Sequence, residues 1–259
     1  MASSPQAVPT IALLSQSSVV TQSELADYVA PYQSLVDDWI AKFYPAIGAT
    51  IVAPRTGRAP AGAWIMHFLD GLDQPGAAGY HSDSHHQPGA YIDAGQDPLF
   101  TGSHELVEML GDPAGNNVYL APSPEPADAG KQVQILDELA DPCEDDSFAI
   151  NVDGVALSDF ITPAFGNGSS GPYDAAEKLT AAREVGVGGY ISWIDGFVWK
   201  QATNFDGPGF KVRVLGPADQ AKHEGKSLRE WVDEQTRMHV VALGVAMPGP
   251  RAAEVLDSA

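Results

Sequence analysis

Residues 103–111 read SHELVEMLG, and this stretch decides both the fold and the chemistry expected of the chain. On a helix, positions four apart share one face, so His104 and Glu108 reach a common point while Glu105 leans beside them. In the related HExxH helix two histidines bind zinc and the intervening glutamate is the general base. The pattern therefore predicts a metal-dependent hydrolase with Glu105 as its catalytic base; the alternative is a surface helix with solvated side chains.

The residues around this stretch predict where the helix begins and ends. Asp97 and Pro98 are a helix cap and a first helical residue, so the helix is expected to begin there. It should run to Leu110, after which Gly111 would provide a left-handed end. The metal-binding pattern is thus predicted to lie inside a helix of ordinary length.

A third metal ligand is expected downstream, and Glu138 is the candidate. Asp141 either supports His104 by fixing its tautomer or binds the ion in place of Glu138. Zinc is the predicted ion. One imidazole and two carboxylates neutralise a divalent cation and acidify its water less than two imidazoles and one carboxylate do, so manganese and calcium are the less favoured alternatives. The lone cysteine, Cys143, excludes an internal disulfide and a thiolate zinc site.

Length and hydrophobic periodicity predict one α+β domain over residues 1–259, because a chain of this size buries enough surface for a single core. Apolar residues recur with a helical period over 17–43, and a final helix is expected over 227–241. Short apolar runs predict strands over 49–54, 63–69, 89–94, 133–136, 149–152, 155–157, 189–193 and 210–215. Loose ends are expected over 1–16 and 248–259, and an inserted loop over 116–131.

Five strings resemble a set of bacterial and phage proteins with a metalloprotease core. They are AGYH at 78–81, SHELVEMLGDP at 103–113, ELADPC at 138–143, SDFITPAF at 158–165 and GGY at 188–190. The HExxE, Asp-Pro and Glu-x-x-Asp-x-Cys patterns are also similar to the exordium-like, phosphate-induced proteins of plants.

The resemblance covers about residues 76–195 and implies a zincin-like metallopeptidase fold, in which a mixed sheet packs on the active-site helix. It implies His104, Glu108 and Glu138 as ligands and Glu105 as base. The chain departs from the family pattern at Gly111, where threonine is expected, and at 118–119, where tryptophan is common. These departures leave the ligands intact and affect the expected shape of the substrate cleft.

Charge and hydropathy limit the partners. The chain has 14 basic and 34 acidic residues, a net charge of −20, which opposes binding to nucleic acid or to an anionic membrane. It has no signal peptide pattern and no apolar run long enough to span a bilayer. The expected location is cytoplasmic, with non-classical export or association with a virion also compatible. A peptide or protein substrate is expected, and the sequence does not indicate an oligomeric state.

The oxyanion of a tetrahedral intermediate needs a hydrogen-bond donor, and four side chains are candidates: Tyr80, His81, Tyr173 and Tyr190. His81 also begins a run, HSDSHH at 81–86, that is interpreted as a polar turn or as a second metal site. The competing functional hypothesis is a non-catalytic binding or structural module, associated with a phage or a cell wall, whose metal site is structural or lost. Under that hypothesis Glu105 is dispensable, whereas the hydrolase requires it.

Overall fold

The computed structural model describes residues 8–74, 76–83, 87–128, 130–205 and 210–243. It contains two five-stranded sheets, a two-stranded hairpin and several helices, so the α+β prediction is confirmed. Within those ranges, no helix is both long enough and apolar enough to cross a membrane. The predicted loose end at 248–259 lies outside the described residues.

The first sheet has the spatial order β2 (Thr50–Val52), β1 (Thr10–Ser15), β3 (Trp64–Leu69), β5 (Gly89–Asp93) and β4 (Gly79–Ser82). Strands β2, β1, β3 and β5 run parallel, and β4 pairs antiparallel with β5 at one edge. Helices α1 (Leu25–Ser34) and α3 (Pro98–Gly111) contact this sheet. The main core that they enclose includes Leu13, Leu35, Met66, Phe68, Ile92, Leu106 and Met109.

The predicted loose N-terminal end is wrong for residues 10–15, which form β1 in the interior of the first sheet. Ile11, Ala12 and Leu13 are fully buried, because a strand with neighbours on both edges and both faces covered takes a continuous apolar run. Residues 1–7 lie outside the described ranges.

Residues 17–43 do not form the single helix that was predicted. Helix α1 begins at Leu25, and its continuation is a π-helical segment, Leu35–Ile40, followed by the short α2 (Ala41–Phe43). The hydroxyls of Ser17 and Ser18 donate to the carboxylate of Asp70. Short polar side chains that bond in this way hold the backbone in turns rather than in a helix.

The second sheet is antiparallel throughout and has the order β12 (Lys211–Pro217), β11 (Val198–Thr203), β10 (Tyr190–Asp195), β7 (Gln132–Leu136) and β6 (Val118–Pro122). The inserted loop predicted over 116–131 is therefore wrong in part, because residues 118–122 are the edge strand β6. A separate hairpin pairs β8 (Ile150–Val152) with β9 (Val155–Leu157). The remaining helices are α4 (Pro163–Asn167), α5 (Gln220–Glu224) and α6 (Leu228–Leu243).

Helix α3 follows its predicted bounds, but it ends in a different way. The Asp97 side chain accepts from the Phe100 N–H at 3.3 Å, as a helix cap does. At the other end Gly111 is itself helical, and the helix stops at Asp112 with φ −128°. Gly111 is small because a side chain there would lie 2.6 Å from Leu139. The predicted left-handed end at Gly111 is therefore wrong.

A buried pair of carboxyl groups, Asp159 and Asp174, comes from the two segments that flank α4. The Asp174 oxygens accept from the Lys178 and Leu179 N–H groups at 3.0 and 2.9 Å. Burial, together with a hydrogen bond to Asp174, raises the pKa of Asp159 to about 9. Asp159 therefore carries the proton that the pair shares at neutral pH.

Replacing Asp159 with asparagine is expected to make stability less dependent on pH. Between the ordinary value of 3.8 and about 9, the folded state keeps the Asp159 proton and the unfolded state loses it, so unfolding becomes easier as pH rises. In Asp159→Asn the melting temperature should fall less steeply over that range. The control Asp174→Asn should be destabilised throughout, because an amide cannot accept both backbone bonds. Parallel pH profiles for the parent and Asp159→Asn would contradict the shared proton.

Candidate metal centre

Helix α3 presents His104, Glu105 and Glu108 to one polar cluster. Glu105 and Glu108 are buried, and the His104 side chain is only 12% exposed. Two glycines let other elements approach the helix closely: a side chain at Gly79 would lie 2.8 Å from Glu105, and one at Gly102 would overlap Tyr32. The packing around α3 therefore fixes where the three polar side chains lie.

His104 lies between two carboxylates. Its Nε2 atom is 3.3 Å from Glu108 Oε1, the partner expected from the helical spacing, and 3.5 Å from Asp141 Oδ1. Asp141 belongs to a short helical turn, Asp141–Cys143. The backbone of this turn packs closely against Gly189, because a side chain at position 189 would lie 2.7 Å from the Asp141 carbonyl oxygen. Donor atoms around tetrahedral zinc, with bonds of about 2.0–2.1 Å, are spaced by about 3.3 Å. Both distances from His104 Nε2 are therefore close to the spacing of two donor atoms on one ion.

Glu138 also enters the cluster, but a cation from α6 holds it. The Arg229 Nη1 atom makes ion pairs with Glu108 Oε2 and Glu138 Oε2, and its Nε atom is 3.1 Å from Asp233 Oδ2. Oxygens of Glu108, Glu138 and Asp141 lie within 4.8 Å of one another. Of the two alternatives for the third ligand, Asp141 contacts His104, whereas Glu138 is paired with the guanidinium.

His81 reaches the same cluster from the edge strand β4. Its Nε2 atom is 3.2 Å from the Asp112 carbonyl oxygen, and its Nδ1 atom is 3.6 Å from Glu105 Oε2 and 3.5 Å from Glu108 Oε2. The side chain is 1% exposed. His81 therefore lies against the base and a ligand, closer to the centre of the cluster than an oxyanion donor at the cleft surface would be.

The three candidate tyrosines are placed differently. The Tyr80 hydroxyl donates to Asp73 at 2.9 Å, and the Tyr80 ring stacks on Tyr91. Tyr173 packs against the main core. Tyr190 lines the cleft beside the cluster, and burial together with the charge of Asp141 raises its pKa well above the usual range. Tyr190 is thus the tyrosine that the fold brings to the cleft.

The cluster concentrates negative charge that is only partly balanced. Burial and Glu108 raise the pKa of Asp141 to about 7, and burial keeps the pKa of Glu138 well above its usual range despite Arg229. Burial also favours a proton on Glu108, but Arg229 and His104 outweigh it and hold the pKa of Glu108 well below its usual range. The carboxyl groups thus retain protons where cations are lacking.

Both histidines respond to the same charges. Burial opposes protonation of His104, but Glu108 and Asp141 outweigh it and raise its pKa well above the usual value. For His81, burial and Arg229 are outweighed by the contacts with Glu105 and Glu108, which raise its pKa. The cluster therefore attracts positive charge of any kind, whether protons or a metal ion.

Several buried polar atoms of the cluster have no hydrogen-bond partner among the described residues. They are His81 Nδ1, Glu105 Oε2, Glu108 Oε1, Glu138 Oε1, Asp141 Oδ1 and Glu144 Oε1, whereas Glu108 Oε2 is paired with Arg229. An unsatisfied buried acceptor costs roughly 1–3 kcal/mol, and more when it is charged. So many acceptors around one point fit a cation that completes their coordination.

A cleft with about 70 Å³ of space for water-sized molecules opens onto the cluster. Its floor includes His104, Glu105 and Asp141, and its walls come from α3, from residues 77–79 and from α6. Arg229 and Arg237 line the side that α6 provides.

Sequence reasoning identified His104, Glu105, Glu108, Glu138 and Asp141, which lie together, but it missed Arg229, Glu144 and Asp233. A signal for Arg229 was present. Arg229 lies on the same helix face as Val232 and Thr236, which are buried, so its side chain is expected to face inward. A buried arginine needs acidic partners, and the HExxE helix supplies them.

Gly79 provides a test of how the packing positions Glu105. In Gly79→Ala the new methyl group would lie 2.8 Å from Glu105 Oε1 and from Thr101 Cγ2, so the free energy of unfolding should fall by about 1–3 kcal/mol. The loss should be smaller in a Glu105→Ala background, where one of the two obstacles is gone. Chemical denaturation measures both.

Gly130 is the matched control, because nothing lies within 4 Å of a side chain added there. Gly130→Ala should change the free energy of unfolding by no more than about 0.5 kcal/mol. An equal penalty for Gly79→Ala with and without Glu105 would show that Gly79 does not position this carboxylate.

Comparisons with known proteins identify no relative of the chain. No family model, no curated protein and no solved structure matches it. The interpretation of the site therefore rests on the geometry and charge of its own residues.

Proposed function

We propose that the protein is a metal-dependent hydrolase, a zinc metallopeptidase in which His104, Glu108 and Asp141 hold the ion and Glu105 is the base. The observation that carries this proposal is the convergence of His104 Nε2 on Glu108 and Asp141, at 3.3 and 3.5 Å, beside an open cleft. A peptide or protein is the proposed substrate.

The fold agrees with a zincin-like arrangement, which is part of the proposal. The helix with the HExxE pattern packs on a mixed sheet, and the antiparallel edge strand β4 contacts it. The helix supplies His104, Glu105 and Glu108, while a ligand from a later segment, Asp141, completes the set. A ligand set divided between one helix and a downstream segment is the organisation expected of a zincin.

The donor atoms fit a divalent ion, because Glu108 Oε1 and Asp141 Oδ1, which face His104, are buried and make no hydrogen bond among the described residues. Zinc suits one imidazole and two carboxylates; manganese and calcium are harder ions that suit the carboxylates. The chemistry that such an ion supplies when bound is Lewis-acid polarisation of a carbonyl group and acidification of water.

The remaining steps belong to the chain itself. Glu105 lines the cleft, so its carboxylate can accept a proton from a water molecule that attacks a carbonyl carbon. The same carboxyl group then returns the proton to the leaving amine. Arg229 also lines the cleft and stabilises the negative charge that develops on the carbonyl oxygen. Tyr190 can donate a hydrogen bond at the same wall.

Glu138 has a supporting role in this proposal. Its Oε2 atom pairs with Arg229, which also pairs with Glu108. Glu138 therefore helps to orient the guanidinium that holds the proposed metal ligand Glu108 in place. Partners of this kind fix the orientation of metal ligands and contribute to metal affinity. The ligand set implied by the family resemblance is thus changed at one position, from Glu138 to Asp141.

One observation favours the competing hypothesis, a binding or structural module without a catalytic ion. Arg229 bridges Glu108 and Glu138, so a guanidinium already supplies part of the positive charge that a metal ion would bring. A buried network of this kind is stable without a metal ion when its carboxyl groups keep protons. In that case Glu105 is one more buried acid of the network.

Metal content and peptide cleavage together test the proposal. After metal stripping and dialysis against zinc, we expect at least one equivalent of zinc in the parent and in Glu105→Gln, but none in Glu108→Gln, which loses a ligand. Cleavage of an unstructured protein substrate should fall by roughly 10²–10⁴-fold in Glu105→Gln, because the base is lost. If no form binds zinc, or if Glu105→Gln cleaves as fast as the parent, the hydrolase proposal is wrong.

Replacing Arg229 distinguishes the two hypotheses by stability alone. Arg229→Met leaves Glu108 and Glu138 without their guanidinium and should lower the free energy of unfolding by about 3–5 kcal/mol in metal-free protein. If the cluster binds zinc, added zinc should raise the melting temperature of Arg229→Met more than that of the parent, because the ion supplies the missing charge. A structural network without a metal site predicts no response to zinc in either protein.

A further inference from the structure

The geometry points to a second divalent-cation site in the same cluster, formed by His81, Glu105 and Glu108. It rests on the proposed function, because it shares Glu108 with the first site. His81 comes from β4 and the two glutamates from α3, so this site lies on the side of α3 that faces the edge strand.

The orientation of the His81 ring is the first argument. A carbonyl oxygen only accepts hydrogen bonds, so the Nε2 atom, 3.2 Å from the Asp112 oxygen, is the donor. In the neutral ring the Nδ1 atom then carries a lone pair, and it faces Glu105 Oε2 and Glu108 Oε2 at 3.6 and 3.5 Å. A histidine that binds a metal through one nitrogen commonly donates from the other to a backbone carbonyl.

Burial is the second argument. The side chains of His81, Glu105 and Glu108 are 1%, 4% and 0% exposed, and one donor atom from each lies within 4.8 Å of the other two. His81 Nδ1 and Glu105 Oε2 have no hydrogen-bond partner among the described residues. The three side chains thus bring their ligand atoms to one buried place, where two of those atoms have unused bonding capacity among the described residues.

Charge balance is the third argument. Six carboxylates belong to the cluster, with one guanidinium and two imidazoles: Glu105, Glu108, Glu138, Asp141, Glu144, Asp233, Arg229, His81 and His104. With both imidazoles neutral, as ligands must be, and with every carboxyl group ionised, the cluster carries a charge of −5. One divalent ion reduces this to −3 and a second to −1, so a single ion leaves room for another.

Arg229 opposes this site and sets its affinity. Its Nη2 atom is 4.0 Å from Glu105 Oε2, and its Nη1 atom pairs with Glu108, so a cation at His81 competes with the guanidinium for both carboxylates. When the cation displaces Arg229 from Glu105 and Glu108, the guanidinium keeps Asp233 and Glu138 as partners. The second ion therefore binds more weakly than the first.

The second site would give Glu105 two alternative roles. The carboxylate serves as a base when His81 has no metal partner, and it serves as a ligand when the second ion is bound. One imidazole and two carboxylates suit zinc or manganese. The two roles exclude each other at any moment.

Titration calorimetry with zinc chloride on metal-stripped full-length protein tests the inference. We expect two equivalents in the parent, the second bound at least about tenfold more weakly. His81→Gln should bind one, because its amide nitrogen can still donate to the Asp112 carbonyl while the Nδ1 ligand is lost. Glu105→Gln, the second variant, should also bind one. Unchanged circular dichroism and metal-free melting temperature would show that these variants fold.

Two controls exclude other histidines. His223 is an exposed histidine that contacts Asp219, so His223→Gln should still bind two equivalents. The double variant His85→Gln/His86→Gln, which alters the neighbouring run in the sequence, should also bind two. If its second equivalent disappears, the run binds the ion and the proposed site is overturned.

The outcomes separate the two proposals. One equivalent in the parent, unchanged by His81→Gln, overturns the second site and leaves the hydrolase proposal standing. No zinc in the parent overturns the first site and the second together. Two equivalents in His81→Gln also overturn the assignment, because the second ion then binds elsewhere.

Discussion

The ion pairs of Arg229 with Glu108 and Glu138 are the interaction on which the rest of the cluster depends. Buried carboxylates repel one another strongly in a medium of low polarity, and α3 brings two of them inward in consecutive turns. A guanidinium from α6 lets them be buried together, with protons or a metal ion supplying the remaining positive charge. The fold therefore requires α3 and α6 to meet, although they are far apart in the chain.

Close backbone contacts give the cluster its precision. Gly79 admits Glu105 against β4, and Gly189 admits the turn that carries Asp141. Neither glycine has a left-handed backbone, so their role is to provide space, not conformational freedom. The ligand atoms are thus positioned by small residues in strands and loops that themselves carry no reactive group. Substitution of either glycine should therefore disturb the site, although neither belongs to the HExxE pattern.

Much of the fold could be predicted from the sequence, and the errors have physical causes. Helix α3 was predicted because its cap and its apolar period agree with its final packing. Strand β1 was missed because a short apolar run near a terminus has no period of its own, and its burial comes from strands that follow later. The helix predicted over 17–43 is too long, because Ser17 and Ser18 bond to Asp70 instead of entering a helix. Those bonds form only once the first sheet brings Asp70 near.

The candidate site divides in the same way. Residues of α3 were found from local spacing, and Asp141 stood as an alternative to Glu138 that sequence spacing alone left open. The place of His81 depends on β4 pairing antiparallel with β5, and that of Arg229 on the docking of α6. Both are consequences of tertiary structure that a local pattern does not contain.

The order of these segments along the chain also bears on how the protein is made. Residues of β4, α3 and the turn at 141–143 leave the ribosome before α6, which carries the only arginine paired to Glu108 and Glu138 within the described chain. Synthesis proceeds at about 5–20 residues per second, so for several seconds the nascent chain holds the carboxylates without their guanidinium. During that interval the acids must keep protons or recruit a cation from solution. The polar cluster beside α3 can therefore be completed only when α6 has docked.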